Sequence, residues 1–254
     1  MVRTVRGAVL KTVLCSSALL LTAGGVTARA DIAVGLNAGL QDTQAGSTGK
    51  LHLVLSTSAS DGSKPPRATA LVLQLPRGAV VDPNAADTCS ARKLRAGHRC
   101  PTKSRVGSGV VTLDIREGSA NTVTGPVTAY NAKPNNSQDA SRILLEVNQV
   151  QTQIRAVLEG RVVRNGVSPF GYTLRFDLIP AIQTAAGTVA SVTKLDITMK
   201  ARRRVSSNGS KRVSNYYRNP TTCTGPKLWY FGADLTFEGG LPLTVAKPLV
   251  CQNS

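Results

Sequence analysis

The sequence has few histidines and few large aromatic residues. It contains two histidines, one tryptophan and four phenylalanines among its 254 residues. Acidic residues are also scarce, with 14 Asp and Glu against 31 Lys and Arg. Zinc is bound mainly by closely spaced Cys and His, and the sequence has no C-x-x-C pair beside its two histidines, His52 and His98. We therefore expect neither a metal ion nor a cofactor.

Long apolar runs are also missing, apart from one near the N-terminus. Three basic residues within the first eleven precede an apolar stretch that ends near residue 26 and is followed by an Ala-Arg-Ala motif at residues 28–30. A helix that spans a bilayer needs about 20 apolar residues, and this stretch is shorter. The pattern is typical of a secretory signal peptide. It predicts a leader, residues 1–30, that is cut before Asp31.

The predicted mature chain, residues 31–254, is long enough for one large β domain, and we expect a single domain. Residues 31–50 are rich in Gly and Thr and are a candidate extended arm. Removal of the leader takes away four basic residues and no acidic ones, which leaves a net charge of +13. We expect the mature protein to be secreted, either extracellular or associated with the cell wall, and to have no transmembrane span.

Four cysteines remain after cleavage of the leader, because Cys15 is removed with it. An even number of cysteines in an oxidising compartment predicts two disulfides, for which three connectivities are open. Pairing neighbours in sequence keeps both loops short. We therefore predict Cys89–Cys100 and Cys223–Cys251.

Apolar and polar residues alternate with a period of two along most of the mature chain. The clearest segment is 170–178, where Phe, Tyr and Leu alternate with Gly, Thr, Arg and Asp. This period is typical of a half-buried β-strand. About ten such segments, separated by clusters of Gly, Pro, Asn and Ser, predict an all-β fold, either an antiparallel β-sandwich or a barrel-like form of it.

Local signals predict one hairpin turn and one short helix. Asn208-Gly209 is the strongest turn signal in the chain. Asp87 or Thr88 is expected to cap a helix that runs to Ala96 inside the Cys89–Cys100 loop, with Gly97 ending it.

Several short motifs form a pattern in two parts. The first part is Leu75-Pro76-Arg77-Gly78, followed by Cys89, then Cys100-Pro101 and Ser104-Arg105-Val106-Gly107-Ser108-Gly109. The second part is Cys223, Trp229, Phe237-Glu238-Gly239-Gly240 and Cys251. The pattern resembles one found in uncharacterised secreted, β-rich proteins of actinobacteria, and the resemblance covers about half of the mature chain. It implies export and a β-rich fold, and it implies no catalytic residues.

Catalytic motifs are hard to find. Ser108 lies between two glycines without the spacing of a nucleophile elbow, and we interpret Gly107-Ser108-Gly109 as small residues at a tight strand start. A secreted hydrolase with an unrecognised site stays open as an alternative, since a pair of carboxylates is sufficient for glycoside hydrolysis. The acidic candidates are Asp114, Glu117, Glu146, Glu159, Asp177 and Glu238.

The most suggestive pattern is the distribution of positive charge. Two runs contain no acidic residue. The first consists of Lys200, Arg202, Arg203, Arg204, Lys211, Arg212 and Arg218, with Tyr216 and Tyr217 beside them. The second consists of Arg92, Lys93, Arg95, Arg99, Lys103 and Arg105.

We interpret these two runs as a binding surface for an anionic polymer, such as a cell-wall polymer or an acidic polysaccharide, with nucleic acid as a less favoured partner. Tyr216 and Tyr217 are candidates for stacking on the ligand, although core packing is the more common role for such residues. The alternative interpretation of the basic runs is that their lysines and arginines keep an edge hairpin soluble and unpaired. A non-enzymatic structural or protein-binding module, recognisable by a large exposed apolar patch, is the other alternative.

Overall fold

The computed structural model describes residues 31–117, 120–149, 153–164, 168–178, 182, 187–200, 202–207, 210–223, 226–240 and 242–252. The predicted signal peptide and the Asn208-Gly209 turn lie outside these residues.

The regular secondary structure of the described chain is almost entirely β-strand. They are β1 (Ile32–Leu40), β2 (Leu51–Ala59), β3 (Ala68–Pro76), β4 (Val80–Val81), β5 (Arg105–Glu117), β6 (Ala120–Ala132), β7 (Asp139–Gln149), β8 (Ile154–Arg164), β9 (Phe170–Asp177), β10 (Ser191–Met199), β11 (Arg202–Ser207), β12 (Ser210–Asn215), β13 (Tyr217–Arg218), β14 (Leu228–Phe237) and β15 (Leu243–Val250). One α-helix, α1 (Ala91–Arg95), and two single-turn 3-10 helices, Pro83–Ala85 and Thr102–Ser104, complete it.

Eleven strands form one sheet, in the order β1-β2-β10-β5-β6-β7-β8-β9-β3-β14-β15. All its neighbours pair antiparallel. The outermost strands, β1 and β15, lie side by side without a ladder of hydrogen bonds between them. The sheet is therefore rolled into a nearly closed barrel. This confirms the antiparallel all-β prediction, and the main sheet is of the barrel-like form.

The period of two in the sequence places one face of each strand inside the barrel. In β2, Leu51, Leu53 and Leu55 are buried while His52 is exposed. From β14, Trp229 and Phe231 join the same core. Each large apolar side chain that is removed from water in this way contributes about 2 kcal/mol, and this burial also fixes the register of the strands.

The candidate arm is a strand for half of its length. All nine residues of β1 pair with β2, from Ile32 opposite Ala59 to Leu40 opposite Leu51. Ile32, Val34 and Leu36 alternate with polar or small residues and pack against the core. Apolar alternation thus overrides the Gly and Thr content that suggested an unpaired segment.

The short helix begins later than predicted. Its N-cap is Ser90, whose Oγ accepts a hydrogen bond from the amide of Lys93, and neither Asp87 nor Thr88 caps it. The reason lies at Cys89, whose amide donates to the carbonyl of Asn131 at 2.7 Å and keeps the backbone extended up to that point. Gly97 ends the helix with a φ of 89°, a left-handed conformation that glycine adopts readily.

Both predicted disulfides are confirmed, with Cα–Cα distances of 5.4 Å for Cys89–Cys100 and 5.9 Å for Cys223–Cys251. The first bond brackets α1, and the second joins the end of β15 to the segment before β14. Helix α1 packs on the outer wall of the barrel, where Leu94 meets Leu144 of β7 in a second, smaller apolar cluster. The helix therefore has a fixed place on the wall.

Candidate functional site

The two longest connections of the barrel meet at one of its ends. Residues 77–104 join β3 to β5, and residues 200–227 join β10 to β14. Met199 at the end of β10 pairs with Gly107 near the start of β5, and the amide of Lys200 donates to the carbonyl of Val106. Both connections therefore leave the same end of the barrel, which we term the basic end and define as residues 77–104 and 200–227.

Most of the excess charge of the mature chain belongs to the basic end. Residues 77–104 contain six Lys and Arg and two Asp, while residues 200–227 contain eight Lys and Arg and no acidic residue. Every residue of the two sequence-predicted basic runs belongs to the basic end except Arg105, which is the first residue of β5. The two runs, which are about one hundred residues apart in sequence, thus share one end of the molecule.

The two connections are also joined to each other. Tyr217 of β13 pairs with Val81 of β4, which forms a two-stranded ladder across the mouth of the barrel. The hydroxyl of Ser214 donates a hydrogen bond to the Asp82 carboxylate. The basic end is therefore one connected layer rather than two independent loops.

Tyr216 and Tyr217 lie in the core, so the prediction that they stack on a ligand is wrong. Their exposed fractions are 2% and 3%, respectively. The hydroxyl of Tyr216 lies 3.1 Å from Oγ of Ser141, and both rings close the interior of the barrel below the β4–β13 ladder. Burial raises the pKa of both hydroxyls above the ordinary value of 10.0.

The first basic run is carried mainly by a hairpin. Strand β11 pairs with β12 from Arg202 opposite Asn215 to Ser207 opposite Ser210. The predicted Asn208-Gly209 turn falls between these positions in sequence and outside the described residues. The hairpin backbone carries Arg202, Arg203, Arg204, Lys211 and Arg212 and lies against the Pro83–Ala85 turn.

The remaining two members of the first run line two polar clefts. Arg218 is exposed on a cleft of about 790 Å³, and Lys200 is exposed on a neighbouring cleft of about 900 Å³. Thr48, Val213 and Asn215 line both clefts. The second strand of the hairpin therefore separates the two.

The second basic run borders a different cleft of about 700 Å³, which we term the arginine cleft. Its charged lining consists of Arg92, Arg95, Lys133, Arg142 and Glu159. The other four members of the run, Lys93, Arg99, Lys103 and Arg105, are exposed and are not part of this lining. Sequence reasoning found Arg92 and Arg95 but missed Lys133 and Arg142, because these come from the β6–β7 connection and from β7.

Two arginines of this cleft share one carboxylate. Nη2 of Arg95 lies 2.5 Å from Oε1 of Glu159, and Nη2 of Arg142 donates to Oε2 of the same side chain. Nη1 of Arg142 also donates to Oδ1 of Asn135 at 2.6 Å. Burial, and then the neighbouring charge of Arg95, lower the pKa of Arg142.

The acidic candidates for hydrolysis are engaged in ion pairs with arginines. The structure describes the side chains of five of the six candidates. Each of these five forms an ion pair with at least one arginine. The pairs are Asp114–Arg116, Glu146–Arg155, Glu159–Arg95, Glu159–Arg142, Asp177–Arg175 and Glu238–Arg67.

The 790 Å³ cleft holds two further carboxylates, those of Asp82 and Asp139. Asp139 accepts hydrogen bonds from Nε and Nη2 of Arg161, and Asp82 accepts from Asn84 and Ser214. The Asp139–Arg161 contact joins the neighbouring strands β7 and β8, and the Asp82–Ser214 contact joins the two connections of the basic end. Both carboxylates are therefore engaged in contacts that hold the structure together.

Large apolar side chains are exposed at Val110, Val213 and Val250, which lie on three different strands. This arrangement adds no support to the protein-binding alternative, which predicts one large patch. Across the ranges that the structure describes, no helix has the length and apolar character needed to cross a bilayer. The same residues contain no group of three or more His, Cys, Asp or Glu arranged to hold a metal ion.

The chain matches no family model, no curated protein and no solved structure. The geometry of the basic end therefore carries the functional argument.

Proposed function

We propose that this protein is a secreted, non-enzymatic module of the cell envelope or extracellular space that binds anionic polymers through its basic end. The observation that carries the proposal is that both basic runs leave the same end of the barrel. Folding does not require this arrangement, because like charges that are brought together repel each other. A negatively charged chain would neutralise them.

The shape of this end suits an extended ligand. The arginine cleft and the two hairpin clefts, of about 700, 790 and 900 Å³, provide several polar recesses. A polyanion that contacts several Lys and Arg side chains releases its condensed counterions, so binding weakens steeply as salt is added. We expect an acidic polysaccharide or a wall polymer, rather than a small neutral molecule, to be the ligand.

A charge-reversal experiment tests the proposal. The triple variant R202E/R203E/R204E is compared with R175E/K194E/K247E, which changes the net charge equally at exposed positions on the wall of the barrel. Retention on isolated cell walls is measured at increasing salt for the wild type and both variants. We expect the hairpin variant to lose retention and the wall variant to keep it.

The comparison separates local binding from the effect of net charge. Equal loss in both variants would mean that total charge, and not the basic end, governs adhesion. Unchanged retention of the hairpin variant would contradict the proposal.

A further inference from the structure

We infer that the arginine cleft is a specific site for a phosphate ester, and that the protein recognises phosphate-containing polymers through it. This inference rests on the proposed function, because it names the anion that the basic end takes.

Four cationic side chains from three parts of the fold converge on the cleft. Arg92 and Arg95 come from α1, Lys133 comes from the connection between β6 and β7, and Arg142 comes from β7. They surround a volume of about 700 Å³. This arrangement differs from a row of solvated charges along one strand, since a ligand that enters the cleft is within reach of several of them.

The negative charge in the cleft does not balance these cations. Among the described residues, Glu159 is the one acidic side chain that lines the cleft, and it is shared by Arg95 and Arg142. The side chain of Arg142 is only 13% exposed, so water screens its charge weakly. The pKa of Arg142 is lowered by this burial and by the charge of Arg95. A bound anion would supply the missing negative charge.

The cleft is also held in shape before any ligand arrives. Arg142 is fixed by Asn135 and Glu159, and α1 is fixed by the Cys89–Cys100 bond. From β8, Nη2 of Arg155 donates to the carbonyl of Leu94 at 2.8 Å and fastens the helix to the wall. Groups that are ordered in advance lose little entropy on binding, so this cleft is well suited to a discrete anion.

The separate origins of the cations, in α1, the β6–β7 connection and β7, favour a tetrahedral anion. Guanidinium groups form strong, charge-assisted hydrogen bonds with both phosphates and carboxylates. A carboxylate offers its two oxygens on one side, whereas a phosphate ester offers oxygens in several directions. Cations that approach from the helix, from the loop and from the wall are therefore best satisfied by a phosphate ester.

Binding of poly(glycerol phosphate) tests the inference with two variants of equal charge. R92Q/R95Q removes two cations from the lining, and K194Q/K247Q removes two exposed cations from the wall of the barrel, outside the basic end and the lining. We expect R92Q/R95Q to weaken binding at least about tenfold, because charge-assisted hydrogen bonds are lost. K194Q/K247Q should bind like the wild type at matched ionic strength.

Three further measurements complete the test. R142Q, checked for a normal unfolding transition, should also weaken binding, and inorganic phosphate should compete better than chloride at equal ionic strength. Polygalacturonate, a carboxylate polymer, should bind more weakly and without dependence on Arg92 and Arg95. Equal effects of the two double variants, or no competition by phosphate, would overturn the inference.

The result also separates this inference from the proposed function. Polymer binding that depends on the hairpin arginines but is unaffected by R92Q/R95Q would remove the phosphate site and leave the proposed function standing. A failure of every anionic polymer to bind would remove both. Retention on phosphatidylglycerol vesicles without binding to poly(glycerol phosphate) would assign the ester to a lipid headgroup and overturn polymer recognition.

Discussion

Tyr216 places its hydroxyl 3.1 Å from Oγ of Ser141, inside the mouth of the barrel. The adjacent hydroxyl of Tyr217 is equally buried but finds no hydrogen-bond partner within the described part of the chain. Two neighbouring tyrosines thus occupy the same apolar interior with opposite hydrogen-bonding outcomes.

This difference predicts opposite effects of removing the two hydroxyls. A buried hydroxyl without a hydrogen-bond partner destabilises the folded state, while the hydrogen bond of a paired hydroxyl contributes about 1 kcal/mol to its stability. We expect Y217F to raise the free energy of unfolding by up to about 1 kcal/mol, and Y216F to lower it by about 1 kcal/mol. Urea unfolding followed by tryptophan fluorescence measures both. A loss of stability in Y217F would show that its hydroxyl has a partner.

The same tyrosines predict a loss of stability in alkaline solution. Burial raises their pKa in the folded state above 10.0, so the unfolded state loses its protons first as pH rises. Their stabilising effect is full below pH 10 and declines above it, by about 1.4 kcal/mol per pH unit for each group. Y217F should show a shallower decline than the wild type between pH 10 and 11. Identical slopes would contradict this assignment.

Gly109 lies where β5 approaches β10 closely. A Cβ at this position would overlap the backbone carbonyl of Asp196, whereas one at Gly39 of β1 would meet only Cβ of His52, at 4.0 Å. We expect G109A to destabilise the protein by at least about 2 kcal/mol, because the strands must move apart. G39A should change stability by less than about 1 kcal/mol. Thermal unfolding compares the two, and similar transition temperatures would disprove the close contact.

The two disulfides are expected to have separable effects. The loop-entropy model gives about 3 kcal/mol for the 11-residue separation of Cys89–Cys100 and about 3.5 kcal/mol for the 28-residue separation of Cys223–Cys251. C89S/C100S should in addition weaken phosphate binding, because the helix that carries Arg92 and Arg95 loses its anchor. C223S/C251S should lower stability without changing phosphate binding. Weaker phosphate binding in both variants would contradict a local role of the first bond.

The sequence was most informative where a signal is local. The period of two predicted the strands, and the sequence-local cysteine pairing predicted the disulfides. The helix start was misplaced by a few residues because Cys89 pairs with the strand that ends at Ala132, a contact between distant parts of the chain.

The candidate site could be predicted only in part for the same reason. Both basic runs are visible as sequence, but their position at one end depends on the strand order. Arg142 looks like an ordinary polar residue of an alternating strand until Arg95 and Glu159 are placed beside it. Tyr216 and Tyr217 were misread because the cationic neighbours in sequence suggested solvent, whereas the chain turns inward after Asn215.

The unpaired seam between β1 and β15 has a consequence for self-association. An edge strand offers a row of free amides and carbonyls on which a second copy can add a strand. In β15, Lys247 and Pro248 occupy consecutive positions. Proline has no amide to donate and is tolerated in a sheet mainly at its edge, and the charge of the lysine resists burial. We therefore expect Lys247 and Pro248 to oppose the addition of a strand from a second copy at this seam.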